Sequence, residues 1–317
     1  MKKKINNVTK ILVLVLMIFS LSGCTKYLKT DDGKQVKNET TGQVLTKNIL
    51  CKPTDKEIIK IYESYNKSVK KSSKVDLKKL EECSKMKING KYESLWTNIF
   101  VKPLAWIIIK IGNLVKSYGL SLILVTILIR AIVMPITLKT AKQSKNMQKA
   151  KPELEKLEKK YQNKNDQEAM MQKSQEMMMI YKKYGINPMS GCLFSFIQIP
   201  LFFAFYEAIG RIPVIFEETF LGFQLGTSPL TAVLNGKFHY IIFIVLIAAA
   251  TYFSFKLNSN VMSDEQAKQM KLMQNIMVVM MTITAFSISS GIAIYWVTSN
   301  VFTIVQNLIV KRGVKDV

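Results

Sequence analysis

The segment Leu122–Leu138, LILVTILIRAIVMPITL, is apolar enough to cross a membrane, yet it carries Arg130 near its centre. A transmembrane helix needs about 20 predominantly apolar residues to span a hydrocarbon core of ~30 Å. A charge at mid-bilayer costs roughly 2.5 to 3.5 kcal/mol on insertion scales and above ~10 kcal/mol in simulations of isolated helices. Arg130 therefore needs a partner or water, which neighbouring helices have to provide.

Further apolar blocks accompany this one, so the 317-residue chain is predicted to be an all-α polytopic membrane protein with five transmembrane helices. The predicted spans are Leu120–Leu138, Gly191–Ile209, Tyr240–Lys256, Met273–Ser289 and Ile292–Val310. The last two form one apolar run that would be about 57 Å long as a single helix, nearly twice the bilayer core. The chain must therefore reverse, and Ser289-Ser290-Gly291 is the predicted turn.

The N-terminus has the pattern of a secretory signal, with MKKK as its positive region and residues 11–19 as its short apolar region. Leu21-Ser22-Gly23-Cys24 resembles a bacterial lipobox, whose cysteine is acylated and becomes the first residue of the mature protein. We therefore predict a lipoprotein signal peptide over residues 1–23 and lipidation of Cys24. The alternative is an accidental cysteine behind a secretory signal.

A lipid-anchored N-terminus outside a bacterial cell membrane, followed by five crossings, places the C-terminus in the cytoplasm. The basic stretch 139–184 and the basic tail 311–317 then lie inside, as the positive-inside rule expects. The predicted core with its five spans occupies residues 119–310 and includes the stretch 139–184.

Residues 24–95 form a polar, lysine-rich extracytoplasmic segment with helical periodicity only from about Asp55 to Lys85. We expect it to be small or partly disordered. Its two cysteines, Cys51 and Cys83, either form a disulfide or remain two free thiols. The chain has a single histidine, His239, so neither a metal site nor a cofactor is expected.

Residues 96–118 are predicted to form an interfacial amphipathic helix lying in the headgroup plane. Its lysines, Lys102, Lys110 and Lys116, lie away from an apolar face. The residues of that face are Trp96, Phe100, Leu104, Ile107, Ile108, Ile111 and Leu114.

The stretch 139–184 is predicted to be a cytoplasmic helical hairpin that turns at YQNKND. Asn165 and Glu168 resemble a capping box for the second arm, which stops before Gly185. Two apolar faces should meet, formed by Leu154, Leu157 and Tyr161 on one arm and by Met170, Met177, Met178 and Tyr181 on the other. The methionines indicate either a docking element or simply the contact between the arms.

The only carboxylate in the predicted spans is Glu207, which lies near the outer end of the second span and not at the depth of Arg130. An ion pair between the two is one alternative, and a water-filled polar cavity is the favoured one. Candidate polar groups are Thr126, Gln198, Thr282, Thr284, Ser287, Trp296, Thr298 and Asn300. Some of these will instead bond a helix backbone, as membrane Ser and Thr usually do.

These features together resemble the YidC-type membrane protein insertases of the YidC/Oxa/Alb superfamily, in the Gram-positive form that begins as a lipoprotein. The resemblance covers about residues 100–312 and rests on the Arg130 span, the hairpin, YGINPMSGCLFSFIQIPLFFAFYEAI and GIAIYWVTSNVFTIVQNLIVKR. Phe194 and Ser289-Ser290 depart from the family pattern, whereas Arg130, Gln198 and Trp296 stand at matching places.

The resemblance implies a hydrophilic intramembrane groove centred on Arg130, with no covalent catalysis and hence no enzyme. The implied groove residues are Arg130, Gln198, Trp296, Thr126, Thr298 and Asn300. The implied partners are nascent membrane proteins and the lipid bilayer, together with the Sec translocon and a ribosome or signal recognition particle.

Three other functions fit the sequence less well. A secondary transporter would show inverted repeats, into which five spans do not divide. An intramembrane protease could use Ser289 or Ser290 with His239, but the serines lie at the predicted turn without a nucleophile motif. The net charge of +23 suits anionic lipid without an RNA-binding motif, so no direct nucleic-acid function is expected.

Overall fold

The computed structural model describes residues 25–89, 92–164, 166–187, 190–258 and 264–312, without the side chains of 139–145, 190–197, 258–270 and 310–312. The predicted signal peptide, Cys24 and most of the basic tail lie outside these residues. The described chain forms two compact units. The first unit contains residues 25–125, 202–237 and 289–292, and the second contains 126–201, 238–288 and 293–312.

The fold is mainly helical, as predicted for an all-α protein. In chain order, the helices are α1 Lys56–Ser68, α2 Lys102–Val115, α3 Tyr118–Tyr161, α4 Gln167–Lys183, α5 Ser190–Arg211, α6 Pro213–Glu217, α7 Pro229–Leu234, α8 Ile241–Asn258, α9 Asp264–Ala285 and α10 Ser290–Arg312. Between α6 and α7, strands β1 Thr219–Phe220 and β2 Phe223–Gln224 pair antiparallel.

Four described helical segments are long and apolar enough to cross a membrane, namely Thr97–Val115, Tyr118–Leu138, Phe238–Leu257 and Ser290–Ile309. The last three match predicted spans. The second predicted span is α5, and the fourth corresponds to the shorter apolar stretch Lys271–Ala285. The first segment was predicted to lie at the membrane interface. Its length and hydropathy are also sufficient for a transmembrane helix. Lys102, expected away from the apolar face, is buried there, while Leu114 is exposed.

The N-terminal lobe, residues 25–89, is folded around an apolar core and is more ordered than its composition predicts. The core consists of Leu28, Leu45, Ile49, Ile58, Tyr62, Tyr65, Val69, Val75 and Phe216. Its helix α1 starts at the N-cap Asp55 and ends at Ser68, well before the predicted limit at Lys85. The Asn66 side chain bonds both the N–H and the carbonyl of Val75, at 2.8 and 2.7 Å, and so holds the returning chain against the helix.

A disulfide joins Cys51 to Cys83, with 4.8 Å between their Cα atoms. Of the two alternatives left by the sequence, the structure therefore contains the bonded pair. Closing a loop of this length stabilises a fold by about 3 to 4 kcal/mol in the chain-entropy view. The bond ties the chain before α1 to the chain after it.

Two successive carboxylates, Glu217 and Glu218, cap the starts of two different helices. Glu217 accepts hydrogen bonds from the N–H groups of Thr54 and Asp55, at 2.9 and 3.1 Å, in front of α1. Glu218 accepts from the N–H groups of Tyr118 and Gly119, at 2.6 and 3.2 Å, at the start of α3. Negative charge is stabilising at helix N-termini because of the unpaired N–H groups there.

The reversal between α9 and α10 lies at residues 286–289, a few residues before the predicted turn. Ser290 is already helical, and both its N–H and its hydroxyl donate to the Thr227 carbonyl, at 2.9 and 2.8 Å. The N–H of Gly291 donates to the carbonyl of Leu225. These bonds satisfy the first two N–H groups of α10, which have no partner within the helix, and so favour a helix start at this position.

In the second unit, the last part of α3 packs against α4, over the stretch predicted to form a helical hairpin. Leu154, Leu157 and Tyr161 are buried between the arms together with Tyr181, and Met177 packs against them. The expectation for Met170 and Met178 is wrong, since 57% and 44% of their surfaces are exposed. The second arm is capped by Asp166, whose carboxylate accepts from the Ala169 N–H, whereas Asn165 lies outside the described residues.

Two matching clusters hold the hairpin arms together. In one, Glu153 accepts from Lys183 and Tyr184, at 2.5 and 2.7 Å. In the other, Glu176 accepts from Lys160 and Tyr161, at 2.6 and 2.9 Å. The hydrogen bonds from these partners, with those from Lys183 and Lys160 the strongest, lower the pKa of both carboxyl groups below their ordinary value.

We predict that the hairpin loosens in acid. A carboxyl group with a lowered pKa stabilises the fold above its unfolded pKa of about 4.3, and this stabilisation is lost as the pH falls further. Hydrogen exchange of α4, corrected for its intrinsic pH dependence, should therefore accelerate below about pH 4. The double variant Glu153→Gln and Glu176→Gln is the control and should lack this acceleration; equal pH profiles would contradict the prediction.

Candidate functional site

Arg130 lies on α3 in the second unit, and only 7% of its surface is exposed. Its Nε donates to Ser299 Oγ of α10 at 2.8 Å, and its Nη2 donates to Gln198 Oε1 of α5 at 2.6 Å. Nη2 also contacts the Ser299 hydroxyl. The guanidinium thus joins three helices through two neutral side chains.

A second polar contact links α3 to α10 two helical turns further along both helices. Gln306 Nε2 of α10 donates to Thr137 Oγ1 of α3 at 2.7 Å. Because both partners advance equally from the Arg130–Ser299 contact, the two helices run in the same direction along this seam. Between the two contacts, α3 carries only apolar residues, whereas α10 also carries Asn300 and Thr303.

The structure brings only part of the predicted groove set to Arg130. Gln198 contacts it, whereas the Trp296 indole N–H donates to Thr251 Oγ1 of α8 at 3.0 Å. The Asn300 side chain donates to the backbone carbonyl of Trp296 at 2.9 Å. Thr126 is fully buried and Thr298 is half-buried.

Two of the other candidates serve their own helices. The hydroxyl groups of Thr282 and Thr284 donate to backbone carbonyls of α9, as membrane threonines commonly do. Ser287 is exposed in the turn.

Ser299 is a site residue that the sequence did not reveal. It is fully buried and is the shared acceptor for the Arg130 guanidinium. A serine in a membrane helix usually bonds its own backbone, so its residue type carries little information about function. The sequence feature that could have identified Ser299 as a site residue is its position, three residues after Trp296 and next to Asn300 on α10.

In the first unit, Glu207 belongs to a second buried charge cluster, built around Arg211. Arg211 is fully buried, and its Nη2 donates to both carboxylate oxygens of Glu93, at 2.8 and 2.7 Å. Its Nη1 lies 3.8 Å from Glu207, which also accepts from the Trp96 indole at 3.2 Å. The described charge partner of Glu207 is therefore Arg211, one turn further along α5, and not Arg130. The sequence did not indicate Arg211 or Glu93.

Two chemical alternatives find little support in the geometry. The Ser290 hydroxyl is buried and donates to a backbone carbonyl, which is a capping role and not that of a nucleophile. Within the described residues, no group of three or more His, Cys, Asp or Glu side chains could hold a metal ion.

Residues 110–316 match the model of a protein family described as 60Kd inner membrane protein. The chain is 35% identical over 222 residues to membrane protein insertase YidC of Oceanobacillus iheyensis, covering 69% of this chain and 85% of that one. It is 36% identical over 235 residues to membrane protein insertase MisCA of Bacillus subtilis, covering 73% and 86%.

Among solved structures, an active YidC insertase crystal structure with its first transmembrane domain resolved matches with a TM-score of 0.50 at 23% identity. The match covers 78% of this chain and 52% of that one, and it concerns the fold. Taken with the family match and the curated relatives, the chain belongs to the family of YidC-type membrane protein insertases, as the sequence predicted. The family match begins at residue 110, so it does not include the N-terminal lobe.

We predict that Ser299→Ala destabilises the protein by about 1.5 to 3 kcal/mol, the range for a hydrogen bond to a charged group. The substitution removes the acceptor that Nε and Nη2 of Arg130 share. Thermal unfolding of the purified protein measures the change. Thr282→Ala is the matched control, because its hydroxyl bonds only its own helix, and its effect should be clearly smaller. Equal unfolding temperatures for Ser299→Ala and the unmodified protein would refute this role.

Proposed function

We propose that this protein inserts newly made membrane proteins into the bacterial cell membrane through a polar intramembrane groove centred on Arg130. The observation that supports this most strongly is the environment of the guanidinium. It is buried against two neutral acceptors, and none of the ion pairs between described residues includes it. Its positive charge therefore stays available to an acidic residue of a substrate.

The donors of Arg130 divide in a way that suits this role. Nε and Nη2 are held by Ser299 and Gln198, which fixes the plane of the guanidinium. Nη1 makes no hydrogen bond to any residue that the structure describes. A substrate carboxylate can accept from that edge of the fork without displacing the two bonds that orient it.

Insertion of this kind needs no covalent step. Moving a short polar tail across the membrane beside a fixed positive charge costs less free energy than moving it through bare hydrocarbon. The apolar helix behind the tail supplies the driving force when it enters the lipid. The protein then lowers a transfer barrier and does not act as an enzyme. Neither a secondary transporter nor a protease draws comparable support from the relatives, whose names are those of insertases.

The remaining groove residues are proposed from their placement on the same helices. Trp296 lies three residues before Ser299 on α10, and Asn300 directly follows Ser299. Thr126 precedes Arg130 by about one turn on α3, and Thr298 neighbours Ser299. Their hydroxyl, indole and amide groups would line the path of the polar tail.

We further propose that the N-terminal lobe lies outside the cell and that the hairpin and C-terminus lie in the cytoplasm. A disulfide in the lobe fits the oxidising side of the membrane. The hairpin is basic, and its second arm exposes Met170, Met171, Met178 and Met179. Flexible thioethers accept varied apolar partners, which supports docking of a ribosome, a signal recognition particle or the Sec translocon there.

We predict that Arg130→Ala abolishes insertion while the protein stays folded, and that Arg130→Lys keeps much of the activity because an ammonium preserves the charge. Arg211→Ala is the matched control at the other buried arginine. It leaves Glu93 and Glu207 without their partner and should destabilise the fold by about 3 to 5 kcal/mol.

The measurement is rescue of insertase-depleted cells, combined with thermal unfolding of each purified variant. Insertion is scored for one substrate that needs the Sec translocon and one that does not, so that cooperation with Sec is tested in the same cells. A folded Arg130→Ala protein with full activity would exclude the proposed groove. An unfolded Arg130→Ala protein would instead make Arg130 a structural residue like Arg211.

We also predict that Cys24 is lipidated and that residues 1–23 are absent from the mature protein. Mass spectrometry of the protein purified from its membrane should find an acylated N-terminal Cys24. Cys24→Ala is the control and should retain the signal peptide or lose the acyl mass. Detection of an intact Met1 on the unmodified sequence would rule the anchor out.

A further inference from the structure

The first unit contains an open groove of about 490 Å³ between the last part of the N-terminal lobe and helix α2. Three of its lining residues are lysines and one is a tryptophan. The lining residues are Lys85, Met86, Lys87, Ile88, Asn89, Trp106 and Lys110. None of them belongs to the proposed insertion groove or to the Arg211 cluster.

One wall of the groove is helix α2, which presents Trp106 and Lys110 on the same face, one turn apart. The Lys110 Nζ lies 6.0 Å from the centre of the Trp106 ring. Lys110 forms no ion pair with any described residue, so its charge faces the groove uncompensated.

The other wall is the segment that follows Cys83. The disulfide fixes its start, and the side chain of Met86 is buried. Lys85 and Lys87 approach Glu82 and Glu81, at 3.0 and 3.7 Å, but these pairs are largely exposed. Exposed pairs contribute little stability, so both lysines can turn to a stronger anion.

Exposed apolar side chains lie next to the groove, and a site for a soluble anion would not require them. Leu114 lies one turn beyond Lys110 on the same face of α2, and 81% of its surface is exposed. Before α2, Ile99 and Phe100 are exposed as well. Lysines and a tryptophan next to exposed aliphatic and aromatic side chains are the composition found at the membrane interface.

We propose that this groove binds the headgroup of an anionic phospholipid. The lysine ammonium groups would hold the phosphodiester, and the Trp106 indole would lie at headgroup depth. The acyl chains would run along the exposed side chains of Ile99, Phe100 and Leu114. Charge complementarity favours an anionic lipid over a zwitterionic one, and the apolar border favours a lipid over an acidic peptide. The site is independent of insertion and would fasten α2 and the lobe to the bilayer.

The test titrates the purified full-length protein, in a neutral detergent, with dihexanoyl phosphatidylglycerol and with dihexanoyl phosphatidylcholine, and native mass spectrometry counts bound lipid. Phosphatidylglycerol should bind more tightly. Lys110→Gln should weaken it about fivefold, which corresponds to about 1 kcal/mol per lysine. The triple change of Lys85, Lys87 and Lys110 to Gln should weaken phosphatidylglycerol binding about 100-fold. Lys110→Arg keeps the positive charge and should therefore retain binding.

The matched control changes Lys70, Lys71 and Lys74 to Gln, which removes equal charge from exposed lysines of the same lobe outside the groove. If the lysines of the groove and not the net charge attract the lipid, the affinity of this variant for phosphatidylglycerol should stay within about twofold of that of the unmodified protein. Thermal unfolding of every variant separates lost binding from lost folding.

Four results would overturn the proposal. The first is equal binding of the two lipids, and the second is an equal loss of binding in the two triple variants. The third is binding of glycerol phosphate as tight as that of phosphatidylglycerol, which would make this a site for free anions. The fourth is displacement of the lipid by a hexaglutamate peptide at a concentration below that of the lipid, which would make it a peptide site.

Discussion

The constraint on which the structure depends is the burial of a permanently charged guanidinium within an apolar helix. Arg130 cannot be neutralised by losing a proton, because arginine stays charged in proteins. Its helix must therefore stand beside helices that offer oxygen acceptors at the same depth. Ser299 and Gln198 meet this requirement, and in doing so they join α3, α5 and α10. A second hydrogen bond between α3 and α10 joins Gln306 to Thr137.

The two buried arginines show how the neighbours of a charge decide its role. Arg211 is fully buried, but two carboxylates and the Asn48 carbonyl surround it, so its charge is used within the protein. Arg130 has only neutral partners, which orient the guanidinium without compensating it. Both residues are arginines, and both are buried. Only the presence of acids separates a fixed structural cluster from a site that can attract an acidic ligand.

The N-terminal lobe illustrates how a polar, lysine-rich segment can still fold. Its core is small, and covalent and capping interactions add to it. The disulfide closes the loop around α1, Asn66 holds the returning chain at Val75, and Glu217 caps the start of the helix. Phe216, from the segment after α5, completes the core. The lobe therefore depends on residues more than a hundred positions away in the chain.

The sequence by itself determined the elements whose signals are local. Apolar length marked the membrane helices, helical periodicity marked the hairpin arms, and a charge inside an apolar run marked Arg130. The motifs around Gln198 and Trp296 were specific enough to indicate the family. The tertiary structure decided what depends on distant pairing: that Ser299 accepts from Arg130, that Glu207 lies beside Arg211, that Cys51 meets Cys83, and that Met178 points away from the hairpin core. Periodicity reports which face of a helix is apolar, but a partner is chosen by which helix lies opposite, and that information is present only in the folded chain.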